Sequence, residues 1–332
     1  MTFHNQTRLE THKIVYSIKR SAAAFLAVLL VASIGLCFIP AASSQNHANV
    51  TVHFFDVGQG DSIFIDTSNR DVLIDGGSAS ASSTVLDYLD DLNITHIHLM
   101  IATHAHADHI GGLIGVLNSA ITIDEVIVNN QTHTSVTYTN FITLAQTHNL
   151  TAAQRGQTFI LTETANLTVL NPTQPLEFGD LNDNSIVTKL QVEDTSFLFT
   201  GDAEEDAEQS MIDAALNLQS DVLKVGHHGS YTATSQAFLD LVSPSYAIIS
   251  AGLDNRYDHP HNVTIDKLLT KGVDIYTTIA SGTIVASTDG TTITFHNNPQ
   301  PIPEFPLNLI MPTFVVITLL AVIVYRKKLP KT

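Results

Sequence analysis

In the stretch ATHAHADHIGG, residues 102–112, three imidazoles and a carboxylate crowd into six positions: His104, His106, Asp108 and His109. Neutral imidazole and carboxylate suit zinc, iron or manganese, and their convergence is best explained by a bound cation. Read as an extended loop, the segment points His104 and His106 the same way and leaves Asp108 and His109 to face a second ion. The two glycines that follow let backbone approach closely. A polar loop that happens to contain histidines is the plainer reading, and two other stretches weigh against it. FTGD ends in Asp202, and KVGHHGS carries adjacent His227 and His228. Three strand-like runs thus end in side chains of the metal-binding type.

Such side chains need strands that stop side by side. IHLMIAT (97–103) reads as a buried strand and HIGGLIGVLN (109–118) as a helix. VTVHFFDV (50–57), SIFIDT (62–67) and DVLIDGG (71–77) read as strands joined by tight turns, and SSTVLDYLDDL (82–92) as a helix with a serine start. SIVTKLQVED (185–194) and TSFLFTGD (195–202) make a hairpin, followed by a helix over 203–216 with acids in its first turn. Further strands are read at 221–230, 246–252, 274–279, 282–288 and 291–297. Strands at both ends with alternation between them predict an α/β fold of sheets sandwiched between helices. A polar cluster where a buried strand gives way to a loop is the usual place for a site in such folds.

The chain has 332 residues and a formal net charge of −17. Its basic residues gather at the two ends, leaving only Arg70, Arg155, Lys189, Lys224, Arg256, Lys267 and Lys271 between them. A broad basic track for a nucleic-acid backbone is therefore excluded, although a bound metal reverses the field locally. Cys37 is the single cysteine, so no disulfide framework exists. The apolar run 21–39 follows Lys19 and Arg20 and reads as a signal peptide or an uncleaved anchor. A second apolar run, 307–325, is followed by RKK, long enough for one bilayer crossing with the C-terminus inside. The expected organisation is a signal peptide or anchor at 1–45, one hydrolytic domain at 46–298, a Pro-rich linker at 299–306, a transmembrane helix at 307–325 and a basic cytoplasmic tail at 326–332. The domain then lies outside the cell membrane. Six Asn-x-Thr sequons in the body are compatible with that side.

THAHADHIGG matches the H-x-H-x-D-H signature of the metallo-β-lactamase fold superfamily. VLIDGG resembles its upstream aspartate, here Asp75, and TGD its bridging aspartate. FFDVGQGDS, NDNSIVTKL, FLFTGDAE, LKVGHHGS and NRYDHPH together resemble the hydrolase domain of competence DNA-uptake proteins (ComEC-like), and more distantly the cell-wall phosphorylcholine esterases. The resemblance spans about residues 50–296 and implies a four-layer αββα sandwich, here with flanking membrane segments. It implies two divalent ions, zinc or manganese. His104 and His106 hold the first, Asp108 and His109 the second, and Asp202 bridges them. One histidine of GHHG completes the second site, with His228 preferred to His227. The superfamily's usual third histidine of the first site is absent, and NDNS (182–185) lies in that part of the chain. The first ion thus has fewer protein ligands and only partial occupancy, with a water or Asn184 nearby.

Two metals activate a shared water and stabilise charge on a displaced oxygen. Asp108 is then a candidate to orient that water, and His227 or His259 to protonate the leaving group. The resemblance favours a phosphodiester substrate, small or polymeric: a short single-stranded nucleic acid or a phosphate-linked envelope component. The alternatives are a lactone, thioester or β-lactam hydrolase, or a surface binding protein that kept the fold without turnover. Asp56, Gln59 and Asp61 either line the site or only shape a corner between strands. Glu204, Glu205 and Asp206 read as a solvated helix start. His53, His96, His98, His133, His148 and His296 read as isolated structural or surface residues.

Overall fold

The computed structural model describes residues 50–296 and Pro301. The segments 21–39 and 307–325 and the basic tail lie outside the described residues. Among those described, no helix is long and apolar enough to cross a membrane.

The described residues begin with three antiparallel strands, β1 (Val50–Phe54), β2 (Ile63–Asp66) and β3 (Val72–Ile74), and a helix, α1 (Ser82–Asp91). Next come β4 (His96–Ala102), the short helices α2 (Ala107–Ile110) and α3 (Leu113–Leu117), β5 (Thr122–Val128), α4 (Val136–Ala145) and β6 (Asn149–Ala152). The second half begins with β7 (Thr158–Ile160), β8 (Ala165–Asn171), β9 (Val187–Val192) and β10 (Thr195–Phe199). It continues through α5 (Glu205–Asp213), β11 (Val222–Lys224), α6 (Gln236–Val242), β12 (Tyr246–Ile249), α7 (Asn262–Thr270) and β13 (Asp274–Thr277). A last turn of helix, α8 (Thr278–Ser281), leads into β14 (Ile284–Thr288) and β15 (Ile293–His296).

Two mixed sheets result. One runs β15-β14-β1-β2-β3-β4-β5-β6, the other β13-β12-β11-β10-β9-β8-β7. The parallel parts, β3 to β6 and β10 to β13, carry the strand ends that matter. Strand alternation sorts side chains into layers. From β4, Leu99 and Ile101 enter a core shared with Phe197 and Val222 of the other sheet. Ile97 and Met100 instead pack outward against Val85 and Leu89 of α1 and Phe141 of α4. On the other sheet Leu223 and Ile249 face out to Met211 of α5, Phe238 of α6 and Leu268 of α7. Both faces of the parallel strands are therefore covered, as their continuous apolar runs require.

One reading is corrected. The helix expected over 109–118 is broken at Gly111 and Gly112, and it starts earlier, at Ala107. A Cβ at Gly112 would stand 1.8 Å from the carbonyl oxygen of Gly76, so only glycine allows this approach of α2 and α3 to the turn after β3. Asp108 and His109 consequently sit on a helical turn, not in an extended loop.

His53 of β1 is buried beside Phe55 and Phe64, and its Nε2 has no hydrogen-bond partner. Burial, helped by the imidazole of His296, lowers its pKa to about 4. Above pH 6.5 both folded and unfolded forms are neutral. As pH falls from 6.5 to 4 the unfolded chain takes up the proton first, so stability is lost across that window. The loss is on the order of 3 kcal/mol. His53→Leu should remove this share of the acid sensitivity. Denaturant melts at pH 7 and pH 4.5 check it, and an equal pH loss in both proteins would refute it.

Candidate metal centre

β3 and β4 are parallel with Ile74 opposite Ile101, so Asp75 emerges beside the end of β4. Its backbone is left-handed, with φ of 58°. The fully buried carboxylate accepts from the Thr103 backbone N–H at 2.8 Å, the Thr103 hydroxyl at 2.7 Å and His109 Nδ1 at 2.7 Å. That last bond fixes the His109 tautomer and turns its Nε2 toward the space between the sheets. Burial raises the Asp75 pKa, and its partners only partly offset this. Burial alone would lower that of His109, but Asp202 and Asp75 outweigh it and hold His109 well above the ordinary imidazole value.

Around this anchor the expected ligands converge. Nε2 of His104 and Nδ1 of His106 lie 2.9 Å apart. Asp202 follows β10, and its Oδ2 stands 3.6 Å from His104 Nε2 and 3.2 Å from His109 Nε2. Its Oδ1 stands 3.5 Å from His228 Nε2, which is 3.7 Å from Asp108 Oδ2. Among the described residues, the ligand atoms of His104, His106 and Asp202 form one group within 4.8 Å, and those of Asp108, His109 and His228 another. His109 Nε2, Asp202 Oδ1 and His228 Nε2 are buried without a hydrogen-bond partner. An orphaned buried polar atom costs about 1–3 kcal/mol, and three aimed into one space fit a cation. Each of the two groups supplies imidazole nitrogen and carboxylate oxygen, a donor set that fits a divalent metal ion. His104, His106, Asp108 and His109 come from one sheet, Asp202 and His228 from the other.

GHHG lies in a 3-10 turn, Gly226–Gly229, in which His227 and His228 both have positive φ, 47° and 55°. Such backbone costs about 1–3 kcal/mol per residue and clusters at functional sites. It sends the rings to different partners. His228 Nδ1 donates to the Ser250 carbonyl at 3.0 Å, leaving Nε2 for the centre. His227 Nδ1 meets Glu204 Oε1 at 2.8 Å, and its Nε2 lies 3.7 Å from Asp202. Glu204 is therefore no mere solvated helix start, since it also accepts from Thr232 and Asn182. Burial would lower the His227 pKa, but the Glu204 bond and the charge of Asp202 outweigh it and raise it. His259 is buried at the wall of the same cleft, its Nδ1 without a partner. Burial and the neighbouring imidazoles of His227 and His228 lower its pKa to about 4.

Asn184 is fully buried and is not among the residues lining the cleft. Its amide nitrogen holds the loop carbonyls of Phe178 and Asp180 together with Gln131, and Asn182, not Asn184, lines the cleft. Asp61 is fully buried and pairs with Lys224 at 2.8 Å, while its other oxygen lies 3.2 Å from His228 Nδ1. A Cβ at Gly60 would fall 2.2 Å from the Asp108 carbonyl oxygen, so the 56–61 turn packs directly on the metal loop. His133 is not isolated: it lines the cleft. Nor are His96 and His98, which gather with Asp124 within 4.8 Å on β4 and β5. There, however, His98 Nδ1 accepts the Asp71 N–H. Its other nitrogen then carries the proton and is unsuited to a metal.

The cleft over the centre has a volume of about 440 Å³. Because Glu204 raises the His227 pKa, Glu204→Gln should shift the imidazole titration of metal-free protein downward. NMR of the ring protons against pH reads this, and an unmoved titration would show that Glu204 does not govern His227.

The Metallo-beta-lactamase superfamily profile matches residues 55–252. ComE operon protein 3 of Bacillus subtilis (strain 168) is 30% identical over 278 residues, covering 75% of this chain and 34% of that protein. Competence protein ComA of Neisseria gonorrhoeae is 30% identical over 260 residues, covering 78% and 35%. Recombination protein 2 of Haemophilus influenzae is 31% identical over 238 residues, covering 70% and 28%. The chain thus spans about a third of the length of the curated relatives it matches. The matched profile and the ligand-bearing strand ends agree, and this chain belongs to the metallo-beta-lactamase superfamily.

Proposed function

We propose that the domain is a metal-dependent phosphodiesterase. The observation that carries the metal reading is the convergence of buried, unpartnered ligand atoms from His109, Asp202 and His228. His104, His106 and Asp202 would hold one ion, and Asp108, His109 and His228 the other. Divalent ions held there would lower the pKa of a bound water toward neutrality and polarise a phosphoryl oxygen. The relatives named for competence and recombination support a nucleic-acid strand as substrate, and the acidic body favours a short one.

The chain's own groups divide the remaining work. Asp108 has a half-buried side chain at the floor of the cleft and is placed to orient the attacking water. His227 has a raised pKa and a fixed Nδ1, so it is the group to hold a proton for the leaving oxygen. His259, lowered to about 4, is neutral at pH 7 and orients the substrate by hydrogen bonding. We place the domain outside the membrane, held by residues 307–325, because the basic flank RKK keeps the C-terminus inside.

Elemental analysis of the purified domain should find between one and two transition-metal ions per chain. Asp202→Ala should lose metal and turnover together. His227→Ala should keep its metal and lose roughly a hundredfold in kcat on a substrate with an alkoxide leaving group. That loss should shrink when p-nitrophenolate leaves, since it needs no proton. If His227→Ala loses metal as Asp202→Ala does, His227 is a ligand and the division of roles is wrong. For the location, protease added to intact cells should degrade the domain. Full protection, with a cytoplasmic control also spared, would refute it.

A further inference from the structure

The seven basic residues of the body are thinly spread, and most are already engaged. Lys224 pairs with Asp61, and Lys271 with Asp240. Lys189 donates to the Asn217 and Gln219 carbonyls, Lys267 to those of Ala233 and Thr234, and Arg155 to the Leu170 carbonyl and Ser210. Arg70 lies in the turn before β3, at the far end of that strand from Asp75. Arg256 instead rests on an aromatic ring at the mouth of the cleft. Its guanidinium carbon lies 4.6 Å from the Tyr257 ring centroid, and it donates to the Tyr257 hydroxyl. Tyr257 in turn stacks on His259 at 5.5 Å between centroids.

The cleft has a second lobe of about 590 Å³ beside the metal centre. Gln59, Asp108, Arg256 and Tyr257 line both lobes. Ser78, Ser80 and Asn255 line the second, where Asp108 is the single carboxylate among the lining residues. Arg256 is the single Lys or Arg among the residues lining either lobe. An anionic chain that reaches the metals therefore meets one side-chain guanidinium or ammonium in the cleft, at the junction of the lobes. The ring and hydroxyl of Tyr257 hold the guanidinium at this junction, and its remaining N–H groups are donors for a phosphate.

We propose that Arg256 is a specificity-determining residue that receives the phosphate neighbouring the scissile one and seats it in the second lobe. This rests on the phosphodiesterase reading above. The substrate favoured is then one with successive phosphates, and discrimination between single and repeated phosphodiesters falls on one side chain.

The test uses metal-loaded protein and two probes: thymidine 5′-(p-nitrophenyl phosphate) with and without a 3′-phosphate. Both release p-nitrophenolate from the same ester, so their difference reads only the neighbouring phosphate. Wild-type protein should prefer the 3′-phosphorylated probe, mainly through KM. Arg256→Ala should reduce that preference about tenfold or more. It should also flatten the log–log salt dependence of kcat/KM for that probe by about 0.7, the share of one phosphate contact on a single strand. Arg256→Lys should recover part of the preference, because it keeps the charge and loses the fork. Equal losses on both probes with an unchanged salt slope would mean that Arg256 only props the Tyr257–His259 stack, and would overturn the proposal. Hydrolysis of neither probe by wild-type protein would sink the phosphodiesterase reading, and the Arg256 assignment with it.

Discussion

The buried Asp75 carboxylate is the contact on which the rest of the centre depends. It joins the end of β3 to the end of β4 and to the first turn of α2 through three hydrogen bonds. The parallel register of the two strands brings these groups side by side. Without that carboxylate the His109 ring has no fixed tautomer, and the loop carrying His104 and His106 loses the tie at Thr103. The price is a buried charge, met by donors on every side rather than by water.

Charge is managed in the same way around the ligands. Burial would raise the Asp202 pKa, yet the imidazoles of His109 and His228 hold it well below the carboxylate range. Behind His228, Lys224 keeps Asp61 at about 2 despite complete burial. The pair is neutral as a unit, so it shapes the field at His228 without adding net charge to an acidic domain. His104, by contrast, is driven well below its usual pKa by burial and by His109. Burial and the neighbouring carboxylates thus pull against each other at the centre, burial prevailing at His104 and the carboxylates at His109.

Much of this was legible in the sequence because it is local. His104, His106, Asp108 and His109 sit within one short stretch, and Asp202 and His228 each follow an apolar strand. The α/β class and the strand ends could be read from the same runs. The helical start at Ala107 was hidden because two glycines about one turn later interrupt the apolar period. Glu204 was hidden for a different reason. An acid in a first helical turn looks like ordinary dipole chemistry, and only the fold brings it to His227. Gln59 reaches the Gly252 N–H across 193 positions, a contact no spacing rule reveals. Lys224 gave a faint signal: a lysine inside an otherwise apolar strand, LKV, needs a buried partner. Asn182, two residues before Asn184 and with the same side chain, is the one that lines the cleft, a distinction that spacing alone does not reveal.

The ligands are drawn from the ends of both sheets, four from one and two from the other. Neither half holds a complete donor set, so full coordination exists only while the halves are docked. A bound metal would in that sense be a clasp on the seam, and its affinity a portion of the domain's cohesion. At a free concentration a hundredfold above Kd, a clasp of this kind adds about 2.7 kcal/mol to the closed form. Starvation for metal would therefore loosen the molecule at its working edge first. The distant hairpin ends, where Asp194 N–H donates to the Gly290 carbonyl and the Thr195 and Thr288 hydroxyls meet at 2.7 Å, would be the last to part.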